Sequence, residues 1–130
     1  MTPVLFWALI FSGPEFAKNE VRGMRRFAMT IKVKPGSANE YKKYHAAVWP
    51  EVLGMIHECQ ITNYSIYFKD DRLFGYFEYQ GKNLDEDFRR MFAHKKTQEW
   101  RAIMETMLEP LPTRKEGEWW AEMEEVFHFD

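Results

Sequence analysis

Apolar and polar residues alternate from Phe27 to Val33, with the apolar side chains at the odd positions, which is the period of a strand buried on one face. Lys34-Pro35-Gly36-Ser37 ends that strand, and Ser37 followed by Glu40 has the spacing of a capping box. Tyr41, His45, Trp49, Val52 and Ile56 then recur at helical intervals and predict a helix to about Glu58. It should kink or break around Trp49, because Pro50 has no N–H for the carbonyl of Ala46 and its ring crowds that carbonyl.

Ile61 to Phe68 and Leu73 to Tyr79 are rich in Tyr, Phe and Ile, and Lys69-Asp70-Asp71-Arg72 between them lacks a helical period, so the pair reads as an antiparallel hairpin. Leu84, Phe88, Met91 and Phe92 return to a helical period, as do residues 97–108 with Trp100, Ile103, Met104 and Met107, up to Pro110 and Pro112. After a polar loop through Gly117, residues 122–129 alternate in part and predict a last strand. The succession is an α+β, ferredoxin-like β-α-β-β-α-β fold, with helices on one face of a four-stranded antiparallel sheet. Its other face carries large aromatics without an internal partner, which predicts a homodimer joined through the sheets.

Residues 1–23 do not share this design. Val4 to Phe11 is an apolar run far too short to span a membrane and without a preceding Lys or Arg, and Ser12-Gly13-Pro14 breaks it. The expectation is an N-terminal extension outside the fold, with residues 24–130 as the domain; a degenerate signal peptide is the rival reading.

At 130 residues the chain is one domain, and its formal charge of -2, with both signs interspersed, gives no electrostatic reason to bind nucleic acid or a membrane surface. Cys59 is the single cysteine, so no internal disulfide can form, which suits a reducing, cytoplasmic setting. Aromatic residues make up 17 %, enough to line a pocket or a subunit interface as well as a core.

The chemistry concentrates in Glu40-Tyr41-Lys42-Lys43-Tyr44-His45-Ala46-Ala47-Val48-Trp49-Pro50-Glu51. Tyr41 and His45, four apart, share a helix face, and the proline leaves a free carbonyl beside them. With Asn63-Tyr64-Ser65-Ile66-Tyr67 and Gln98-Glu99-Trp100 further on, the chain from Met24 resembles the L-rhamnose mutarotase family, whose motifs read E-Y-x-x-x-H-x-x-x-W-P-E, N-Y-x-I-Y and Q-x-W in that order. The resemblance implies a dimeric α+β barrel and cofactor-free, metal-free interconversion of the α and β anomers of a monosaccharide, with His45 as proton donor to the ring oxygen. It also implies Tyr41, Tyr64 and Trp100 as substrate-binding residues. Arg101 stands where the family often has a second tryptophan, a departure that bears on the sugar more than on the reaction; its side chain either meets sugar hydroxyls or is solvated. Read without the resemblance, Tyr41 also fits a core position and Tyr64 a strand filler, while Trp49 packs the kinked helix on the sheet.

The remaining candidates carry less. His57 and Cys59 lack further ligands at zinc spacing, His94 reads as a solvated turn residue, and His128 lies on the last strand. Glu51, Glu78 and Glu105 are alternatives for a carboxylate partner. There is no G-x-G-x-x-G, P-loop or nucleophilic serine motif, so no nucleotide cofactor is implied. Two other functions fit the same architecture: a cofactor-independent monooxygenase with His45 as base, and a non-catalytic sugar-binding or metabolite-binding module.

Overall fold

The computed structural model describes residues 23–130, so the Val4 to Phe11 run lies outside the described residues. The elements are β1 (Arg25–Val33), α1 (Ala38–His45), α2 (Pro50–Glu58), β2 (Ile61–Lys69), β3 (Arg72–Tyr79), α3 (Leu84–Ala93), α4 (Lys95–Glu105), β4 (Leu108–Glu109) and β5 (Ala121–Glu122). The antiparallel sheet runs β2-β3-β1, and both β4 and β5 pair with the outer edge of β1.

The sheet has five strands rather than four. The expected strand over residues 122–129 is reduced to Ala121–Glu122, and β4, two residues without room for an alternating pattern, supplies the rest of that edge. Beyond Glu125 the chain runs past the start of β1, and Val126, Phe127 and Phe129 are each at least 80 % exposed.

In β1, Phe27, Met29 and Ile31 are buried and in register with buried Phe77, Gly75 and Leu73 of β3, and Val33 and Tyr79 are buried as well. Tyr41, Val52, Phe88, Phe92, Trp100 and Met104 of the four helices close over this face. Each fully buried apolar side chain of this size contributes roughly 1.5–3 kcal/mol, which makes this layer the main support of the fold. The opposite face carries Ala28, Phe74 and Tyr76, all partly exposed, with Arg26, Glu78, Lys32 and Arg72 at its ends.

Of two expected local features, the cap at Ser37 resolves differently and the interruption at Pro50 is present. Lys34-Pro35-Gly36-Ser37 closes as a turn with Ser37 N donating to Lys34 O at 3.0 Å and Gly36 at φ +83°, the geometry of Pro-Gly at the centre of a type II turn. That turn leaves Ser37 with helical backbone angles and no side-chain cap, so the capping box does not form. At Pro50 the helix breaks outright. Trp49 is extended (φ -59°, ψ 133°), as a residue before proline prefers, and Pro50 opens α2, where its missing N–H has no helical partner to lose. The hairpin turn is as short as it can be: Asp70 and Asp71, at φ +53° and +55°, join Lys69 to Arg72.

Candidate active site

The break at Pro50 ends α1 at His45 and leaves its ring at the helix terminus. His45 lies against Tyr41 with ring centroids 4.1 Å apart and planes 26° from parallel, and its Nδ1 is 2.9 Å from the Tyr41 carbonyl oxygen. A carbonyl only accepts, so Nδ1 carries the proton and donates it, and Nε2 is left as the nitrogen that can take up or release one. Burial holds the His45 pKa below the ordinary histidine value, partly offset by the bond to Tyr41. At neutral pH the resting ring is therefore a neutral base.

Trp100 of α4 anchors this corner. Its indole meets the edges of Tyr44, His45 and Trp49 at 5.9, 5.4 and 5.3 Å. It is only 7 % exposed and so belongs to the core as well as to the site. Trp49 makes its ring contact with Trp100, under the Lys96 ammonium, so it packs the broken helix onto α4.

Tyr64 arrives by a different device. Thr62 pairs with Glu78 and Ser65 with Tyr76, so Asn63 and Tyr64 together oppose Phe77 in a β-bulge. Without it, alternation from Ile61 would have sent Asn63, Ser65 and Tyr67 to the helix-covered face. With it, Tyr64 and Ile66 face the helices instead and Tyr67 is 66 % exposed. Asn63 takes the left-handed conformation (φ +48°), which short polar side chains tolerate best. Its Nδ2 donates to Glu78 Oε1 at 2.6 Å, while Tyr76 donates to Oε2 at 2.8 Å.

Tyr41, His45, Tyr64, Trp100 and Arg101 all line one cavity of about 140 Å³, closed by the sheet on one side and α1, α2, α3 and α4 on the other. An apolar cavity of about 150 Å³ holds a benzene ring, so the space matches a single six-membered ring. Burial pushes the Tyr64 phenol up to about 12 and the Tyr41 phenol higher still, with Tyr64 opposing its ionisation. Both are neutral hydroxyls at physiological pH, able to donate and accept.

A family model described as L-rhamnose mutarotase matches residues 26–129. The chain belongs to the L-rhamnose mutarotase family. An L-rhamnose mutarotase of Phocaeicola vulgatus is 34 % identical over 109 residues, covering 82 % of this chain and 100 % of the relative. Proteins of the same description from Bacteroides thetaiotaomicron and Flavobacterium johnsoniae are 30 % and 32 % identical, over 82 % and 81 % of this chain and 100 % and 95 % of theirs. The crystal structure of an L-rhamnose mutarotase from Formosa agariphila shares the fold, with a TM-score of 0.62 at 21 % identity, covering 82 % of this chain and 99 % of that one.

Within this mutarotase fold Arg101 is not solvated. Its side chain is 11 % exposed, its guanidinium lies 4.7 Å over the Phe92 ring, and Nη2 is 3.5 Å from Glu105 Oε1. Of the three glutamates weighed from sequence, Glu105 alone reaches the cavity; Glu78 serves the bulge on the other face and Glu51 is exposed on α2. His94 is no solvated turn residue: its Nδ1 accepts from the Thr97 backbone N–H at 3.3 Å and caps α4. Cys59 is buried with Sγ donating to the Asp87 carbonyl, and His128 faces Asp130 on the exposed tail.

Trp119 and Trp120 complete the cavity wall, and the sequence reading passed over them. They sit in the segment between β4 and β5, which lacks any period. The available signal was two adjacent indoles in a loop. Glu118, buried in that loop, accepts from the backbone N–H groups of Lys115 at 2.7 Å and Glu122 at 3.2 Å and fixes the pair in place.

Proposed function

We propose that this chain interconverts the α and β anomers of L-rhamnose by general acid/base ring opening and closure, with no cofactor. The observation that carries this reading is His45, held by Tyr41 in one tautomer on the wall of a ring-sized, aromatic-lined cavity. Nε2 takes the proton of the anomeric hydroxyl as the bond from C1 to the ring oxygen breaks and the C1 carbonyl forms. The imidazolium then donates that proton to the ring oxygen, the donor role the family resemblance implies. Rotation about the C1–C2 bond turns the other carbonyl face to the ring hydroxyl, and the same transfers in reverse close the ring. The proton count is unchanged over the cycle. A positioned proton carrier of this kind gives about 10²–10⁴ in rate.

Tyr41 and Tyr64 then hold sugar hydroxyls, and Trp100 presents an apolar face to the C–H side of the ring. Arg101 and Glu105 add polar groups to the wall, which favours a hydroxylated ligand over the apolar substrate of a monooxygenase. A homodimer is supported by the exposed Val126, Phe127 and Phe129 and by the open sheet face with Phe74, Tyr76 and Tyr67. The family match from residue 26 supports taking residues 24–130 as the working domain.

Saturation-transfer NMR between the two anomeric proton signals of L-rhamnose tests the activity directly. Added protein should accelerate exchange, with L-fucose and D-ribose run in parallel for specificity. Exchange no faster than in buffer for any of the three sugars would refute the mutarotase reading and leave a binding module.

A further inference from the structure

The cavity has a polar end that the reaction at His45 does not use. Arg101 and Glu105 lie one turn apart on the same face of α4, and both line the cavity. Glu105 Oε1 is buried and, among the described residues, has no hydrogen-bond partner; at 3.5 Å from Arg101 Nη2 it is an ion-pair neighbour outside hydrogen-bonding geometry. A buried ion pair offsets the loss of water only when its remaining acceptors are filled. Here one acceptor is left open in a cavity whose wall also includes the apolar Phe92, Met104 and Leu108.

Glu105 also lies away from the reacting corner. It follows Trp100, which touches His45, by five residues, or about 7.5 Å of helix rise. A group there meets hydroxyls remote from the anomeric carbon. A carboxylate accepts from a hydroxyl and a guanidinium donates to one, so together they suit two neighbouring hydroxyls. The stack on Phe92 holds the guanidinium plane fixed. Burial raises the Glu105 pKa while Arg101 lowers it, so the carboxylate depends on its partner to stay charged.

We propose that Arg101 and Glu105 form a diol-reading clamp, in which Glu105 Oε1 accepts from one hydroxyl of a vicinal pair on the sugar, away from C1, and Arg101 donates to its neighbour. The inference rests on the reading that this cavity holds a monosaccharide. It makes these two residues, rather than His45, the determinants of which sugar is taken.

The test is a cycle between protein and ligand. Binding is followed by quenching of the tryptophan fluorescence and turnover by anomer exchange, using L-rhamnose and its 3-deoxy and 4-deoxy analogues. Glu105→Gln should raise KM for L-rhamnose about tenfold with kcat within about twofold, and should erase most of the penalty the parent shows for one of the deoxy sugars. Should that variant fold poorly, the paired Arg101→Met, Glu105→Leu protein removes both charges together, and circular dichroism checks its fold. It should lose L-rhamnose affinity and the deoxy discrimination alike. Deoxy penalties that persist unchanged in folded variants, with KM unaltered, would overturn the clamp while leaving the mutarotase reading intact. A parent that binds and turns over no sugar would remove both.

Discussion

Asn63 and Glu78 are joined across the hairpin by a 2.6 Å hydrogen bond whose effect is felt on the opposite face of the sheet, at Tyr64. The bond holds the left-handed residue of the bulge, and the bulge decides which way Tyr64 points. The hydrogen bonds from Asn63 and Tyr76 also draw the Glu78 carboxyl below the usual glutamate range.

Asn63→Gly should keep the backbone conformation and lose the bond; Asn63→Val should strain the bulge itself. We expect a raised KM for L-rhamnose in both, with the melting temperature falling more in the valine variant. A lowered carboxyl pKa stabilises the fold above the unfolded value, about 4.3, and that support is lost as pH falls through the folded value. The parent should therefore melt above Glu78→Gln at neutral pH, and the gap should close as pH falls through the carboxyl range.

His45→Ala should reduce kcat for anomer exchange by about 10²-fold or more while leaving binding largely in place. Because the resting base is neutral and its pKa is depressed by burial, kcat/KM in the parent should be flat near pH 7 and fall only below about 6.5. An acid limb centred above that value, or a folded His45→Ala protein as fast as the parent, would refute His45 as the proton carrier.

Trp100 has two duties that substitution can separate. Trp100→Ala opens a cavity among Tyr44, His45 and Trp49 and should cost about 3–5 kcal/mol of stability. Trp100→Phe keeps an aromatic wall, so it should fold near the parent's melting temperature and show a raised KM with kcat less affected. Calorimetry beside the exchange assay checks both.

The tail offers the simplest test of assembly. Sedimentation should show the parent as a dimer at micromolar concentration, and the paired Val126→Ser, Phe127→Ser substitution should shift it toward monomer, since these side chains otherwise stand in water. A monomeric parent would refute the homodimer.

The sequence made the hairpin, β1 and the break at Pro50 legible because each follows from a local rule: alternation, turn chemistry, or a missing N–H. Tyr41, His45, Tyr64, Trp100 and Arg101 were legible as candidates, and they do meet in one cavity. What was not legible depends on contacts distant in sequence. Ser37 fails as a cap because of the turn before it, β4 is too short to carry a pattern, and Trp119 and Trp120 gain their place from Glu118 rather than from any period. Glu105 could not be told from Glu51 and Glu78 until the helices were in position.

The outer edge of β1 is covered by two separate two-residue pairings, with the tryptophan-bearing loop slung between them. Few ladder bonds tether this wall, in contrast to the long ladders of β1 with β3 and β3 with β2. Hydrogen exchange in residues 108–122 should thus proceed by a local opening far easier than global unfolding, while β1 and β3 exchange only with the whole domain. Such an opening would uncover the cavity on the side of Trp119 and Trp120 and leave His45 and its carbonyl partner undisturbed.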